Sequence, residues 1–482
     1  MLRVAFILIL SCVPLYTAAQ PNIVFIFADD LGIGDVGVYG GEVIKTPNID
    51  KLAMDGIRFS QAYVSHPVCS PSRAGLMTGR YQQRHGWEFN PAQRDTGVGM
   101  DPEQVTLADM LKASGYRTAM IGKWHLGYGN PYHPLSRGFE QYFGVLAGGS
   151  IFIDHRLPGV ESVGTWPSKR GEINAVYEGF DVIEVDEYLT DTFTTRAVDF
   201  VSQDHEAPYF LYLSHTTPHT PLQATKKYLD RYRHIEDASA RIYAAMVASL
   251  DDSVGAVVHA LEASGQLENT LIVFSSDNGC AGYIKVCSNA PYAGFKRYHN
   301  EGGIRVPLIM HWPKNLESST YPHMVSLLDL MATFGDVAGS KFTTEDSVNL
   351  IPYLSGKRQS ETPHKYLYWR SGPTQVIRDE RWKLISYAKS EYSRDDLDSA
   401  LRIPPPEGGW PRVAQHGRVT LLFDLETDPG ETIDLSGSLP ETLSRLQSAY
   451  DEWNSTLPSD SILPAIRSTI AEMYGENLQL IF

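Results

Sequence analysis

Four groups of polar residues follow apolar runs in this chain: Asp29-Asp30, Lys123-Trp124-His125, His215 with Pro218-His219, and Asp277-Asn278-Gly279. Singly, each has an ordinary reading as a tight turn or a surface loop. Jointly they say more, because ligands of open α/β sheets collect beyond the carboxyl ends of the strands, and four strands would bring carboxylates, an amide and cations to one rim. Asp29, Asp30, Asp277 and Asn278 offer only oxygen donors, which suit a hard cation, Ca²⁺ or less readily Mg²⁺, rather than zinc. Cys69 is the candidate nucleophile, in Val68-Cys69-Ser70-Pro71-Ser72-Arg73. With Ser70 as N-cap and Pro71 in the first turn, the thiol would sit just outside a helix N-terminus. Backbone N–H groups, the positive end of the helix dipole and Arg73 would there favour an activated nucleophile or a bound oxyanion.

The elements that must hold these groups alternate short apolar runs with amphipathic stretches, the pattern of a mainly parallel sheet with helices on both faces. Strands are expected at 23–27, 118–121, 209–213 and 270–275. Helices are expected at 47–55, opened by Thr46-Pro47 and closed by Gly56, at 106–114 with Gly115 as the stop, and at 238–264 ending at Gly265. Beyond residue 350 short strand candidates at 366–369, 375–377, 382–387 and 421–425 imply a smaller, mostly antiparallel subdomain. A Pro/Gly-rich loop spans 403–410, and 440–455 reads as a helix.

Residues 1–19 read as a secretory signal: Arg3, an apolar run from Val4 to Leu10, and Thr17-Ala18-Ala19 ahead of a cut before Gln20. The division is then 1–19 signal peptide, 20–350 catalytic α/β domain and 351–482 C-terminal α+β subdomain, in a secreted or periplasmic protein. No later run approaches the ~18 consecutive apolar residues of a spanning segment, so no membrane partner is expected. Lys and Arg number 41 against 57 Asp and Glu, a formal charge of −16, which disfavours nucleic acid as a partner and requires any anionic substrate to be held by local cations. Cys280 and Cys287 are near enough to bridge, and free thiols fit the sequence equally well.

The set as a whole resembles the formylglycine-dependent sulfatases of the alkaline phosphatase-like superfamily. Cys69-x-Pro71-x-Arg73 followed by Thr78-Gly79-Arg80 is similar to the signature at which a formylglycine-generating maturation enzyme oxidises the cysteine. In order along the chain come Asp29-Asp30, Gly122-Lys123-Trp124-His125, Pro218-His219, Asp277-Asn278-Gly279, and Lys296 ahead of Glu301-Gly302-Gly303-Ile304-Arg305-Val306-Pro307. Two C-terminal segments, 378–384 and 423–429, also look like family sequence, so the resemblance spans nearly the whole mature chain.

The resemblance implies an alkaline phosphatase-like fold, with a mixed, mainly parallel sheet sandwiched by helices and a C-terminal antiparallel sheet. It also implies a hydrated aldehyde at residue 69 that attacks sulfur with one hydroxyl and expels sulfate when the other is deprotonated. Asp29, Asp30, Asp277, Asn278 and residue 69 would hold Ca²⁺, Arg73 would orient the nucleophile and His125 would take its second proton. Lys123 and Lys296 would neutralise the sulfate oxygens, and His219 would serve the departing alcohol. His215 has two readings, substrate pocket or packing. Arg297-Tyr298-His299 stand where the family commonly has a small residue after the lysine. Arg297 and His299 are therefore candidates for binding a second anionic group of a polymeric substrate, with a solvated loop as the alternative.

The function implied is a secreted sulfatase acting on a sulfated oligo- or polysaccharide, an algal galactan such as carrageenan being preferred. Arylsulfatase or glycosaminoglycan sulfatase, a phosphoric or phosphonic ester hydrolase of the same superfamily, and a noncatalytic sulfated-glycan binder are the alternatives. The sequence leaves the oligomeric state open.

Overall fold

Ten strands make one large sheet, in the spatial order Ser319–Ser326, Ile57–Tyr63, Leu308–His311, Thr270–Ser276, Asn22–Ala28, Tyr209–Ser214, Arg117–Lys123, Gln141–Val145, Val176–Glu178 and Asp181–Ile183. This is a computed structural model, and it describes residues 20–91, 97–164, 167–358, 361–390, 417–458 and 468–481. The signal segment and the loop at 403–410 lie outside them.

From Thr270–Ser276 to Gln141–Val145 the neighbours run parallel. Leu308–His311 runs against both of its neighbours. The central strand explains the two-sided burial: Ile23, Phe25 and Phe27 enter one core, while Val24, Ile26 and Ala28 enter the other. A strand covered on both faces reads as one continuous apolar run. Helices Cys69–Thr78, Leu107–Ala113 and Asp329–Val337 pack together on the first side. Pro47–Asp55, Leu189–Val201 and Ala238–Ala263 pack on the second. The last is long and apolar enough to cross a membrane by length and composition, yet most of its apolar stretch is buried against the sheet.

Two helix ends form differently from the sequence reading. Thr46 stands at the N-cap of Pro47–Asp55 with Pro47 in the first turn, as expected, but its side chain accepts no helix N–H; its hydroxyl donates to Asp50 Oδ1. The N–H groups of Asn48 and Ile49 go instead to the Asp251 carboxylate at 2.9–3.2 Å, delivered by the long helix. Gly56 ends the helix in an extended conformation, φ −125°, and its role is steric: a Cβ there would lie 2.5 Å from the Met310 carbonyl oxygen. Thr106 does cap Leu107–Ala113, in a capping box with Asp109.

The C-terminal part forms a second, antiparallel sheet of Leu367–Ser371, Thr374–Arg378, Trp382–Lys389, Glu476–Ile481 and Ser468–Met473, with Arg418–Asp424 also on Trp382–Lys389. Helix Pro440–Ser455 covers it through Leu446, Tyr450 and Trp453. The terminal hairpin has no counterpart in the sequence reading. A buried ionic lock joins the two sheets. The Glu301 carboxylate receives Lys383 Nζ at 3.0 Å, the Tyr63 hydroxyl at 2.6 Å and Arg378 Nη1 at 3.3 Å. Lys383 also meets Glu431 at 2.9 Å, and Glu431 accepts the Glu301 N–H at 2.7 Å.

Candidate active site

Strand Asn22–Ala28 releases the chain into Asp29 and then Asp30 at φ +66°, a left-handed conformation that aspartate tolerates better than most residues. Asp277 follows the neighbouring parallel strand, and its Oδ1 accepts the Asp30 N–H at 3.1 Å. Lys123 ends the strand Arg117–Lys123. Gly122 before it must be glycine, because its φ is +114° and a Cβ would lie 1.8 Å from the Ser214 carbonyl oxygen.

Cys69 is the first residue of helix Cys69–Thr78, with Val68 at the N-cap, so Ser70 does not cap it. The Ser70 hydroxyl instead donates to the His125 carbonyl at 2.6 Å and accepts from Trp87 Nε1 at 2.8 Å, tying the Lys123-Trp124-His125 turn to the helix that carries the thiol.

The strand ends converge. The Cys69 thiol lies 3.7 Å from Asp29 Oδ1 and 3.9 Å from Asp30 Oδ1, and Lys296 Nζ donates to Sγ at 3.1 Å. Lys123 Nζ bonds both oxygens of Asp29 at 2.8 Å, and Lys296 Nζ bonds those of Asp30 at 2.7 and 2.8 Å. Arg73 donates from Nε to Asp277 Oδ2 at 2.9 Å and from Nη1 to the Lys123 carbonyl and the Ser214 hydroxyl. Ser214 has no counterpart in the sequence reading, because it is the last residue of its strand, one before the polar residues that follow the apolar run.

Three carboxylates and three cations are thus packed together, all essentially out of water. Burial, and then the neighbouring Asp277 and Asp30 charges, push Asp29 up to about 8 despite Lys123. Asp277 is held below the usual carboxylate range, Arg73, Lys123 and Lys296 outweighing the cost of burial. Burial likewise pushes the Cys69 thiol up to about 12 against the pull of Lys123 and Lys296. An unmodified thiol in these surroundings is protonated at neutral pH, and only the thiolate is a good nucleophile.

A cation fits this donor set. The Asn278 amide oxygen is buried with no hydrogen-bond partner, next to carboxylates that repel one another. Ligand atoms of Asp29, Asp30, Cys69 and His219 lie within 4.8 Å of one another. His219 donates from Nδ1 to the Thr220 carbonyl at 2.6 Å, which leaves Nε2 as an acceptor 3.6 Å from Asp30 Oδ2. Its pKa is drawn down to about 3 by burial and Lys296, so the imidazole is neutral. His125 is neutral for the same first reason, burial, reinforced by Lys123 and Arg73, and its Nδ1 has no hydrogen-bond partner.

The remaining candidates part company with the cluster. His215 is buried on the other side of the sheet, its Nε2 2.9 Å from Ser253 Oγ and its ring beside Phe193, so it packs and does not line the substrate pocket. His299 is 2% exposed and meets the buried His66 ring edge to face, so it is not a surface anion contact. Arg297 lies half-buried at the rim with its guanidinium over the Tyr283 ring. Cys280 and Cys287 form a disulfide, and the loop they close carries Tyr283, a residue that composition alone gave no reason to select.

The family model described as Sulfatase matches residues 21–340. The chain belongs to the sulfatase family. This sulfatase is a sulfuric ester hydrolase, and residues 293–400 also match a model described as N-sulphoglucosamine sulphohydrolase, C-terminal. It is 32% identical to arylsulfatase J of Mus musculus over 91% of this chain and 76% of that protein. It is 30% identical to N-acetylgalactosamine-6-sulfatase of Homo sapiens over 91% of this chain and 86% of that one. Among solved structures it resembles Ps i-CgsB in complex with k-i-k-neocarrahexaose, with a TM-score of 0.78 at 33% identity over 92% and 94% of the two chains. It also resembles the PsFucS1 sulfatase from Pseudoalteromonas sp., with a TM-score of 0.73 at 25% identity over 91% and 90%. The alkaline phosphatase-like architecture expected from the sequence is the one observed.

Proposed function

We propose that this sulfatase removes sulfate from a sulfated carbohydrate, with an algal galactan of the carrageenan type as the preferred substrate, Cys69 converted to formylglycine and Ca²⁺ as the cation. The observation that carries the substrate class is the 33% identity, along nearly the whole chain, to a structure holding a neocarrahexaose. Asp29, Asp30, Asp277 and Asn278 would hold the ion together with residue 69. When present, the cation supplies two positive charges and the hydrated aldehyde supplies the nucleophilic oxygen. With Asp29 ionised, the three carboxylates of the site balance Arg73, Lys123 and Lys296, and a divalent ion that keeps Asp29 ionised would leave a positive surplus suited to an anion.

Arg73, itself fixed by bonds to Asp277 and Ser214, would orient residue 69. Lys296 touches Sγ, and with Lys123, which bonds Asp29 beside it, would neutralise the sulfate oxygens. Neutral His125 offers a lone pair for the second hydroxyl proton. His219 Nε2 receives a proton once a bound anion raises its affinity, and can pass it to the leaving alcohol. The apolar stretch within residues 1–19 supports export to a secreted or periplasmic location, where extracellular glycans are met. The boundary at residue 350 separates the catalytic part from the subdomain in this reading.

A glycosaminoglycan is the second reading, favoured by the 30% identity to N-acetylgalactosamine-6-sulfatase. Co-expression with a formylglycine-generating enzyme, followed by measurement of sulfate release from carrageenan oligosaccharides and chondroitin and heparan disaccharides, separates the two. Release from carrageenan, abolished by Cys69→Ala, is expected. Release from glycosaminoglycans alone would move the assignment to the second reading. Turnover of small aryl sulfates only, with an aldehyde at residue 69 by peptide mass, would overturn both.

A further inference from the structure

An aromatic side chain stands exposed at the edge of a cluster that is otherwise buried. Tyr283 is 41% exposed, on a short turn Gly282–Ile284 inside the loop closed by the Cys280–Cys287 disulfide. Both ends of that loop are pinned. The Cys280 N–H donates to Asn289 Oδ1 at 3.0 Å, and the Ser288 N–H donates to the Asp35 carboxylate at 3.0 and 3.1 Å. The Cys280 carbonyl accepts the backbone N–H of Lys296 at 2.9 Å, the same lysine whose ammonium bonds Asp30 and the thiol.

The next residue, Arg297, has φ +83°, and its N–H is held by the Pro67 carbonyl at 2.8 Å, two residues before Cys69. Its guanidinium sits 4.9 Å from the centre of the Tyr283 ring. One face of the ring is therefore taken by a cation, and the exposure belongs to the rest of it. Arg297 directly follows Lys296, whose ammonium bonds Asp30 and the Cys69 sulfur, so the ring it supports stands beside the reacting cluster.

We propose that Tyr283 is a specificity-determining residue of this sulfatase, the wall against which the sugar bearing the sulfate stacks, with Arg297 as the positioning residue behind it. The inference rests on the carbohydrate reading above and adds the residue that recognises the ring. A pyranose presents a face of C–H groups to an aromatic ring, and a tyrosine fixed in advance makes that contact at small entropic cost. The disulfide and the cation beneath the ring supply that fixing. Inorganic sulfate, by contrast, meets only the cations, so it separates the anion pocket from the wall.

The test measures KM for sulfated oligosaccharide and Ki for inorganic sulfate in the matured enzyme carrying Tyr283→Ala or Tyr283→Phe, with melting temperature as the folding control. Tyr283→Ala is expected to raise KM about 10-fold, equivalent to about 1.4 kcal/mol, while Ki for sulfate shifts less than about 2-fold. Tyr283→Phe keeps the stacking face and stays within about 3-fold of wild type. An unchanged KM in Tyr283→Ala, or a parallel rise in Ki, overturns the proposal. If the wild-type enzyme releases sulfate from an aryl ester but from no glycan, the carbohydrate reading itself has failed, and this inference with it.

Discussion

Replacing Lys383 by Met removes the one positive charge shared by two buried carboxylates, Glu301 at 3.0 Å and Glu431 at 2.9 Å, in a site with no solvent exposure on any of the three side chains beyond 1%. Methionine matches the length of lysine, so the change isolates charge from volume. Glu301 keeps Arg378, Arg305 and the Tyr63 hydroxyl, whereas the described ion pairs leave Glu431 with none. Removing one partner of a buried pair costs about 3–5 kcal/mol. At about 2.1 cal/mol/K per residue, unfolding this 482-residue chain carries an entropy near 1 kcal/mol/K, which converts that loss into a melting-temperature drop of about 3–5 °C. Glu431 already titrates above its ordinary range, through burial first and then the Glu301 charge, so in the variant it takes up a proton readily. The penalty should therefore be smaller at about pH 5 than at about pH 8. Adding Glu431→Gln to Lys383→Met should recover roughly half of the loss. Urea unfolding followed by tryptophan fluorescence, with calorimetry alongside, reads each quantity. A loss below about 1 kcal/mol, or a double variant weaker than the single one, would refute the account of the lock as charge pairing.

Chelation should lower both sulfate release and melting temperature, and added Ca²⁺ should restore both more fully than Mg²⁺; indifference to chelator would remove the cation from the site. Burial pushes Asp35 up to about 7 against the Ser288 N–H and the Tyr243 hydroxyl. The folded protein then holds a proton that the unfolded chain has lost, so stability declines as pH rises from about 4 to about 7, by up to ~4 kcal/mol. Asp35→Asn should flatten that slope in urea midpoints taken at several pH values. Asp251→Ala strips the acceptor from the N–H groups of Asn48 and Ile49 and should cost about 2 kcal/mol in urea unfolding without altering KM.

The central strands were legible because double burial writes itself as unbroken apolar runs, 23–27 and 270–275 among them, and the polar residues that end those runs are the ones that meet at the thiol. The outer strands were not. Ile57–Tyr63 mixes Arg58, Ser60 and Gln61 with its apolar residues, and Ser319–Ser326 carries Pro322 at a register shift, tolerable where a bulge relieves the ladder. Thr46 holds the cap position expected of it while its side chain caps nothing, and Ser70 is not the cap at all, because the first-turn N–H groups find partners far along the chain, Asp251 in one case and Asn90 Oδ1, which takes the Ser70 N–H, in the other. His215 and His299 show the limit from another side: residue type offers an imidazole, but only the sheet decides which face it enters.

The reversed direction of Leu308–His311 has a consequence for where new chemistry can be placed. Its neighbours end at the reacting rim, whereas this strand begins there, paired Ser275 to Leu308. The chain from 277 to 307 is therefore a single excursion that leaves the rim and returns to it one strand spacing away, about 4.8 Å. It carries Asp277, Asn278, the disulfide loop, Lys296 and Glu301 without crossing the sheet. An insertion in its disulfide loop lengthens the substrate side of the molecule, since both anchors are fixed by the ladder. Grafted between the same two strand ends of a relative, such a segment would carry Tyr283, its disulfide and Arg297 together, and the recipient would have to supply the counterparts of Asp35 and the Pro67 carbonyl that hold it in place.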